Sequence, residues 1–228
     1  MRKNALIIFT KKPGAGKVKT RLYPELSYEE AADFYSAMVR DIVSNLYDSP
    51  EYETFLFFYP ENSRDYFENN FNGGIKLCAQ NGGGIGERME IAFSQLFRAG
   101  YNKIILIGSD CPALSAEDIN QAFNLLDSHD IVIGPAEDGG YYLIGLTDNQ
   151  PWIFQDMHWS TKEVLEQTLN RIYNTDKKHI LIDQECDIDS ISDLRRLFLD
   201  IENQDITLNI PNIITFRNRI EDMLKEKI

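Results

Sequence analysis

Ile104-Ile105-Leu106-Ile107-Gly108-Ser109-Asp110-Cys111-Pro112 runs four branched apolar residues straight into a glycine, a hydroxyl, one acid and a proline. A short apolar run without polar alternation suits a strand covered on both faces, and a proline cannot continue it. Asp110 therefore stands where a buried strand emerges into solvent. Open α/β sheets bind their ligands at that edge.

Six further runs of strand length occur at Ala5 to Phe9, Thr54 to Tyr59, Ile75 to Ala79, Asp130 to Gly134, Tyr141 to Leu146 and His179 to Ile182. Between them, apolar residues recur at helical spacing, as in Ala31, Phe34, Tyr35, Met38, Val39, Ile42 and Leu46, or Met89, Ala92, Phe93, Leu96 and Phe97. Ser27 with Glu30, Ser115 with Asp118, Ser160 with Glu163 and Ser190 with Asp193 are spaced to cap the first turns of helices. Strand alternating with capped helix predicts a mostly parallel, three-layer α/β sheet. Only six residues, Pro135 to Gly140, separate the runs ending at Gly134 and beginning at Tyr141, which predicts an antiparallel or bulged excursion there. Asn203 to Asn218 is polar with scattered Ile and Pro, and a charged helical stretch follows to Ile228; together they read as a tail packed on the core.

A chain of 228 residues with 43% apolar and 26% charged content is expected to form one domain over residues 1–228, with its core in 4–200 and the tail in 203–228. The formal charge of −13 opposes nucleic acid and anionic membranes as partners. Its exception is the loop from Lys11 to Arg21, with five cations and no acid, a local island suited to a small anion. Cys78, Cys111 and Cys186 lack the spacing of a zinc site or a disulfide framework. The first ten residues hold only a short apolar run and no signal-peptide pattern, so the expected location is cytoplasmic.

The basic loop, Lys11-Lys12-Pro13-Gly14-Ala15-Gly16-Lys17-Val18-Lys19-Thr20-Arg21, fails the P-loop pattern because Lys11 stands where the first glycine belongs and Val18 follows Lys17. What it offers is a flexible backbone with Lys11, Lys17, Lys19 and Arg21 to neutralise a diphosphate. Gly82-Gly83-Gly84-Ile85-Gly86-Glu87-Arg88 ends a strand and opens a helix, and backbone this bare can lie against a base or sugar. Asp110 is the candidate ligand for Mg²⁺ or Mn²⁺, with phosphates supplying further oxygens. Glu137-Asp138-Gly139-Gly140 adds two acids at another strand edge, of which Asp138 is the candidate to grip hydroxyls or take a proton from an acceptor. Trp159 can stack on a sugar or staple the helix predicted to follow Ser160. Asp187 and Asp189, before the Ser190 cap, are candidates to face a metal across the sheet.

Phe9-Thr10-Lys11, Lys17 to Leu22, Gly86-Glu87-Arg88-Met89, Gly108 to Pro112, the long run Gly134 to Leu146 and Trp159-Ser160-Thr161 form an ordered series. This series resembles the DUF2064 family of glycosyltransferase-like bacterial proteins over about residues 4–200. That family is similar to the GT-A, nucleotide-diphospho-sugar transferase superfamily and, within it, to the guanylyltransferase that activates 2-phospholactate; some members are named glycosyltransferases of arsenosugar biosynthesis. The resemblance implies a three-layer α/β/α GT-A fold with a mostly parallel mixed sheet. It implies Lys19 and Arg21 on nucleotide phosphates, the loop with Gly82, Gly83 and Gly84 on the nucleotide, and Asp110 on the metal. Where many GT-A glycosyltransferases carry Asp-x-Asp, this chain has Ser109-Asp110-Cys111, so Asp187 or Asp189 is needed as a second ligand if the metal is to be held firmly.

The activity expected is transfer of a sugar from a nucleoside diphosphate sugar to a small acceptor, with Asp110 and Asp138 at the reacting centre and Lys11, Lys17, Lys19, Arg21, Arg88, Glu137, Gly139 and Trp159 around the substrates. The rival reading is nucleotidyl transfer from a nucleoside triphosphate with release of pyrophosphate, which the single acid favours. A third is a catalytically silent nucleotide-binding protein.

Overall fold

The computed structural model describes residues 3–71, 73–184, 187–203 and 209–226; Cys186, residues 204–208 of the expected tail and the last two residues of its helical stretch lie outside it. Seven strands form one sheet: β1 (Asn4–Lys11), β2 (Tyr52–Tyr59), β3 (Lys76–Ala79), β4 (Lys103–Ile107), β5 (Ile131–Pro135), β6 (Tyr141–Leu146) and β7 (His179–Leu181), in the order β3-β2-β1-β4-β6-β5-β7. β6 runs antiparallel to both its neighbours and every other pairing is parallel. The excursion expected between Gly134 and Tyr141 is thus the β5–β6 hairpin, with a register shift at Gly134/Pro135.

Alternate residues of the same strands feed opposite faces, which is why the strands read as unbroken apolar runs. Leu6 and Ile8 of β1, Leu56 and Phe58 of β2 and Ile105 and Ile107 of β4 pack with Tyr35, Val39 and Ile42 of α1 (Tyr28–Leu46) and Ile119 and Phe123 of α4 (Ala116–Leu125). Ala5, Ile7, Phe9, Phe57 and Leu106 face the other way, onto Met89, Phe93 and Leu96 of α3 (Ile85–Arg98) and Ile172 of α5 (Val164–Tyr173). Helices on both faces give the three-layer fold.

A short helix, α2 (Arg64–Asn70), stacks Phe67 on Phe58 of β2 with ring centroids 4.9 Å apart. Beyond the sheet, the outer side of α1 carries a third apolar cluster. Phe34 and Met38 meet Leu194 and Leu197 of α6 (Ile191–Glu202) and Ile213 and Phe216 of α7 (Pro211–Glu226). The C-terminal segment does pack on the core, but its helix starts at Pro211 inside the stretch read as polar tail. Fully buried Asp41 of α1 explains the start: its carboxylate accepts the Asn212 and Ile213 N–H groups and the Asn212 side-chain amide, satisfying donors that a helix N-terminus leaves open.

Three of the four predicted capping boxes form, at Ser27, Ser115 and Ser190. The fourth does not: α5 begins at Val164, with Glu163 in the N-cap position, and Ser160 lies in left-handed backbone at φ +63°. Its neighbour Thr161 closes a local turn instead, the hydroxyl donating to the His158 carbonyl.

β1 lies between β2 and β4, and the chain leaves it to build β2 and β3 on one side and β4 on the other. The carboxyl ends of β1 and β4 therefore open the crevice of a topological switch point. The basic loop and Asp110 are the first residues into it.

Candidate functional site

Two lobes make up this crevice. The first, of about 410 Å³, is lined by Thr10, Lys11, Lys17, Lys19, Arg21, Tyr35, Gln80, Arg88, Ser109, Asp110 and Asp189 among others. The second, of about 340 Å³, takes in Met89, Tyr141, Tyr142, Trp159, Ser160, Thr161, Asp138 and Asp187. Phe9, Ile85, Gly108, Asp110 and Asp189 border both, so the lobes meet along the two carboxylates.

At that junction the Lys19 ammonium lies 2.5 Å from Asp110 Oδ1 and 2.7 Å from Asp189 Oδ1, with its side chain only 3% exposed. Arg21 adds a contact to Asp189 Oδ2 at 3.3 Å. Burial alone would pull the Lys19 pKa down, but Asp110 and Asp189 outweigh it and hold the ammonium above the ordinary lysine range. Lys19 itself sits in left-handed backbone, φ +47°, which turns the loop so that this side chain points inward while Lys17 stays exposed.

Asp110 and Asp189 are 79 positions apart in sequence, and backbone hydrogen bonding brings them together. The Ile188 N–H donates to the Asp110 carbonyl at 3.0 Å, and Asp193, in the first turn of α6, accepts the Asp189 and Ser190 N–H groups. The Ser190 cap therefore fixes Asp189 as well as the helix. Asp187 lies beside them, its carboxylate accepting the Cys111 thiol at 2.8 Å. Its pKa is pushed up to about 6, by burial first and then by the charges of Asp110, Asp189 and Asp138, partly offset by the thiol.

A hydroxyl network that no sequence motif announces underlies the first lobe. The buried Tyr35 hydroxyl accepts the Lys11 N–H at 3.0 Å and shares hydrogen bonds with Thr10 Oγ1 at 3.1 Å and Ser109 Oγ at 2.7 Å. It ties the exit of β1 to the exit of β4 immediately before Asp110. Burial and the Asp110 charge raise its pKa, so the phenol keeps its proton. Buried Gln80 spends its amide N–H donors on the Thr10 and Phe57 carbonyls, joining the end of β3 to the same edge. Tyr35 lies on a face that reads as plain helix core, and Gln80 is an ordinary polar residue before a glycine run.

Other predicted residues take supporting positions. Gly82, Gly83 and Gly84 form an exposed rim; the loop is fastened to α3 by Glu87, which accepts the Gly83 N–H, and by Arg88, which donates to the Gly82 and Gly83 carbonyls. The Arg88 guanidinium also lies 3.8 Å above the Tyr59 ring, at the wall of the first lobe. Trp159 packs its indole against Gly86, where an added Cβ would stand 2.2 Å from Nε1, and meets Tyr141 edge-on. Gly139 is demanded by the backbone: at φ +89°, a Cβ there would fall 2.2 Å from the Lys162 carbonyl oxygen. Glu137 lies outside both lobes, exposed and 3.5 Å from Arg196. Asp138 lines the second lobe, and its Oδ1 accepts the Gly140 N–H.

Among the described residues, no three His, Cys, Asp or Glu side chains converge as a ready-made metal cage. The donor chemistry nonetheless suits Mg²⁺ or Mn²⁺, which are held by one or two carboxylates plus substrate phosphates. Asp110 and Asp189 already converge on one cation, the Lys19 ammonium.

A family model described as an uncharacterised protein conserved in bacteria, DUF2064, matches residues 42–161, a little over half the chain. The chain belongs to the DUF2064 family. Among solved structures, this DUF2064 protein is similar to a protein of Desulfovibrio desulfuricans G20 provisionally named a nucleotide-diphospho-sugar transferase, with 27% identity, 99% of this chain and 98% of that one covered, and a TM-score of 0.90. It shares its fold with 4-diphosphocytidyl-2C-methyl-D-erythritol synthase of Anaerococcus prevotii DSM 20548, at 12% identity, 89% and 96% coverage and a TM-score of 0.58. The same holds for a cytidylyltransferase of Leptospira borgpetersenii serovar Hardjo-bovis, at 13% identity, 97% and 95% coverage and 0.56. No curated protein matches the sequence. The GT-A expectation for the fold is met, and no helix among the described residues is long and apolar enough to cross a membrane.

Proposed function

We propose that this DUF2064 protein is a transferase that uses a nucleotide-activated donor, and that the group it moves is a sugar carried on a nucleoside diphosphate. The observation that supports this most directly is the convergence of Asp110 and Asp189 on buried Lys19 where the two lobes meet. A diphosphate needs cations, and Lys11, Lys17, Lys19, Arg21 and Arg88 all line the first lobe. A reacting carbon needs a place beside the diphosphate, and the second lobe opens there.

Asp110 and Asp189 would hold a divalent ion, which when bound would neutralise charge on the diphosphate as it leaves. Lys19 and Arg21 would stabilise that same developing charge from the protein side. The acceptor hydroxyl would attack the anomeric carbon as the bond from that carbon to the phosphate oxygen breaks. Asp138, in the second lobe, would take the hydroxyl proton. The Tyr35–Thr10–Ser109 network would keep the two strand ends in register, so that Lys19 and Asp110 meet the phosphates together.

The rival is nucleotidyl transfer, favoured by the single acid directly after β4 and by the cytidylyltransferase that shares the fold. A product assay separates them. With Mn²⁺ and a panel of nucleoside diphosphate sugars and nucleoside triphosphates, glycosyl transfer releases a nucleoside diphosphate, and nucleotidyl transfer releases pyrophosphate. Asp110→Asn is expected to remove the metal-dependent stabilisation by whichever nucleotide binds; retention of that stabilisation would overturn the role given to Asp110.

A further inference from the structure

The two lobes carry opposite charge. The first holds five cations, whereas the described residues lining the second include Asp110, Asp138, Asp187 and Asp189 and no lysine, arginine or histidine. Its remaining surface combines aromatic rings such as Tyr141 and Trp159, the hydroxyls of Ser160 and Thr161, and aliphatic side chains such as Met89 and Val164. Lys19 lines the first lobe and not the second, and meets the shared border through its contacts to Asp110 and Asp189. A divalent ion on those two carboxylates would still leave Asp138, whose Oδ1 accepts only a backbone N–H from Gly140 among the described contacts.

Beside Asp138, a phosphate or carboxylate placed in the second lobe would lose its hydration and meet like charge, with no lysine, arginine or histidine among the described lining residues to replace the water. A polyol suffers neither cost: carboxylates accept from its hydroxyls, and ring faces such as Trp159 cover its C–H surface. We infer that the second lobe selects an uncharged, polyhydroxylated group and rejects its anionic counterpart. The substrate class is therefore a nucleotide-linked neutral sugar rather than a sugar acid, and a phosphorylated small acid has no place in it. This rests on the reading of the first lobe as a nucleoside diphosphate site.

The test compares ligands that differ at one carbon. Binding of UDP-glucose against UDP-glucuronate, and of GDP-mannose against GDP-mannuronate, is measured calorimetrically with Mg²⁺, alongside UDP and GDP alone. For the base that binds, the neutral sugar is expected to bind at least roughly tenfold more tightly than the acid, a lower bound for one like-charge contact near a protein surface. Asp138→Asn keeps the oxygen that accepts from Gly140 and is expected to shrink that ratio while leaving the affinity for the bare diphosphate unchanged. Equal binding of neutral and acid forms, or a ratio that Asp138→Asn does not change, overturns the inference and leaves the nucleotide reading standing. Failure of every diphosphate to bind overturns the nucleotide reading and the inference with it.

Discussion

Replacing Lys19 by Met keeps the apolar stem and removes only the ammonium that Asp110 and Asp189 share. Both Oδ1 atoms are bound to one nitrogen, so the two carboxylates are at most about 5 Å apart, where two unit charges at an effective dielectric of 20 repel by about 3 kcal/mol. Each carboxylate is about two-fifths exposed, and screening reduces the loss to about 2 kcal/mol. For a chain of this size that is a fall in Tm of about 4–8 °C. The assay is thermal unfolding at pH 7.5 in EDTA. The deficit is expected to shrink as salt is added, because counterions screen the repulsion, and to shrink again in low salt when Mg²⁺ is added. A Lys19→Met protein as stable as wild type in EDTA, or a deficit indifferent to both salt and Mg²⁺, would refute the electrostatic reasoning.

Three further outcomes are expected. In the raised-pKa form of Asp187, the acid is protonated in both folded and unfolded chains below about 4 and ionised in both above about 6, so chelator-treated protein loses stability as pH rises through that window, by at most about 3 kcal/mol, and Asp187→Asn should flatten the slope in a Tm-versus-pH series. Gly139→Ala forces a Cβ onto the Lys162 carbonyl in left-handed backbone and should cost about 2–4 kcal/mol by urea unfolding; a loss under 1 kcal/mol would mean that the turn relaxes freely. Asp41→Ala strips three hydrogen bonds from the start of α7, a loss of about 2–3 kcal/mol, and should let limited proteolysis release that helix ahead of the sheet; simultaneous cleavage throughout would count against a separate local opening.

The strands and the helix starts could be read from the sequence because their causes are local. Ile104 to Ile107 is apolar at every position because both of its faces are covered, and Ser27, Ser115 and Ser190 cap because their partners are three residues away. Ser160 carries the same spacing and fails, since the Thr161 turn and left-handed backbone at Ser160 delay the helix to Val164. The start of α7 was hidden for the opposite reason: the carboxylate that caps it is Asp41, on α1, 171 positions away.

At the site, the basic loop and Asp110 announced themselves by composition and by following buried strands. That Lys19 among the loop's cations would be the buried one is a matter of a single left-handed residue and of two acids brought to it. The pairing of Asp110 with Asp189, the hydroxyl network on Tyr35 and the division of the crevice into a cationic and an acidic lobe all depend on contacts between distant segments. Sequence alone determined the layers, the strand ends and the residue types offered there, because hydrophobic period and capping act over a few positions. Only the tertiary structure decided which of those charges share a cation and which face a lobe without one, because charges interact through space and chain separation does not set that distance.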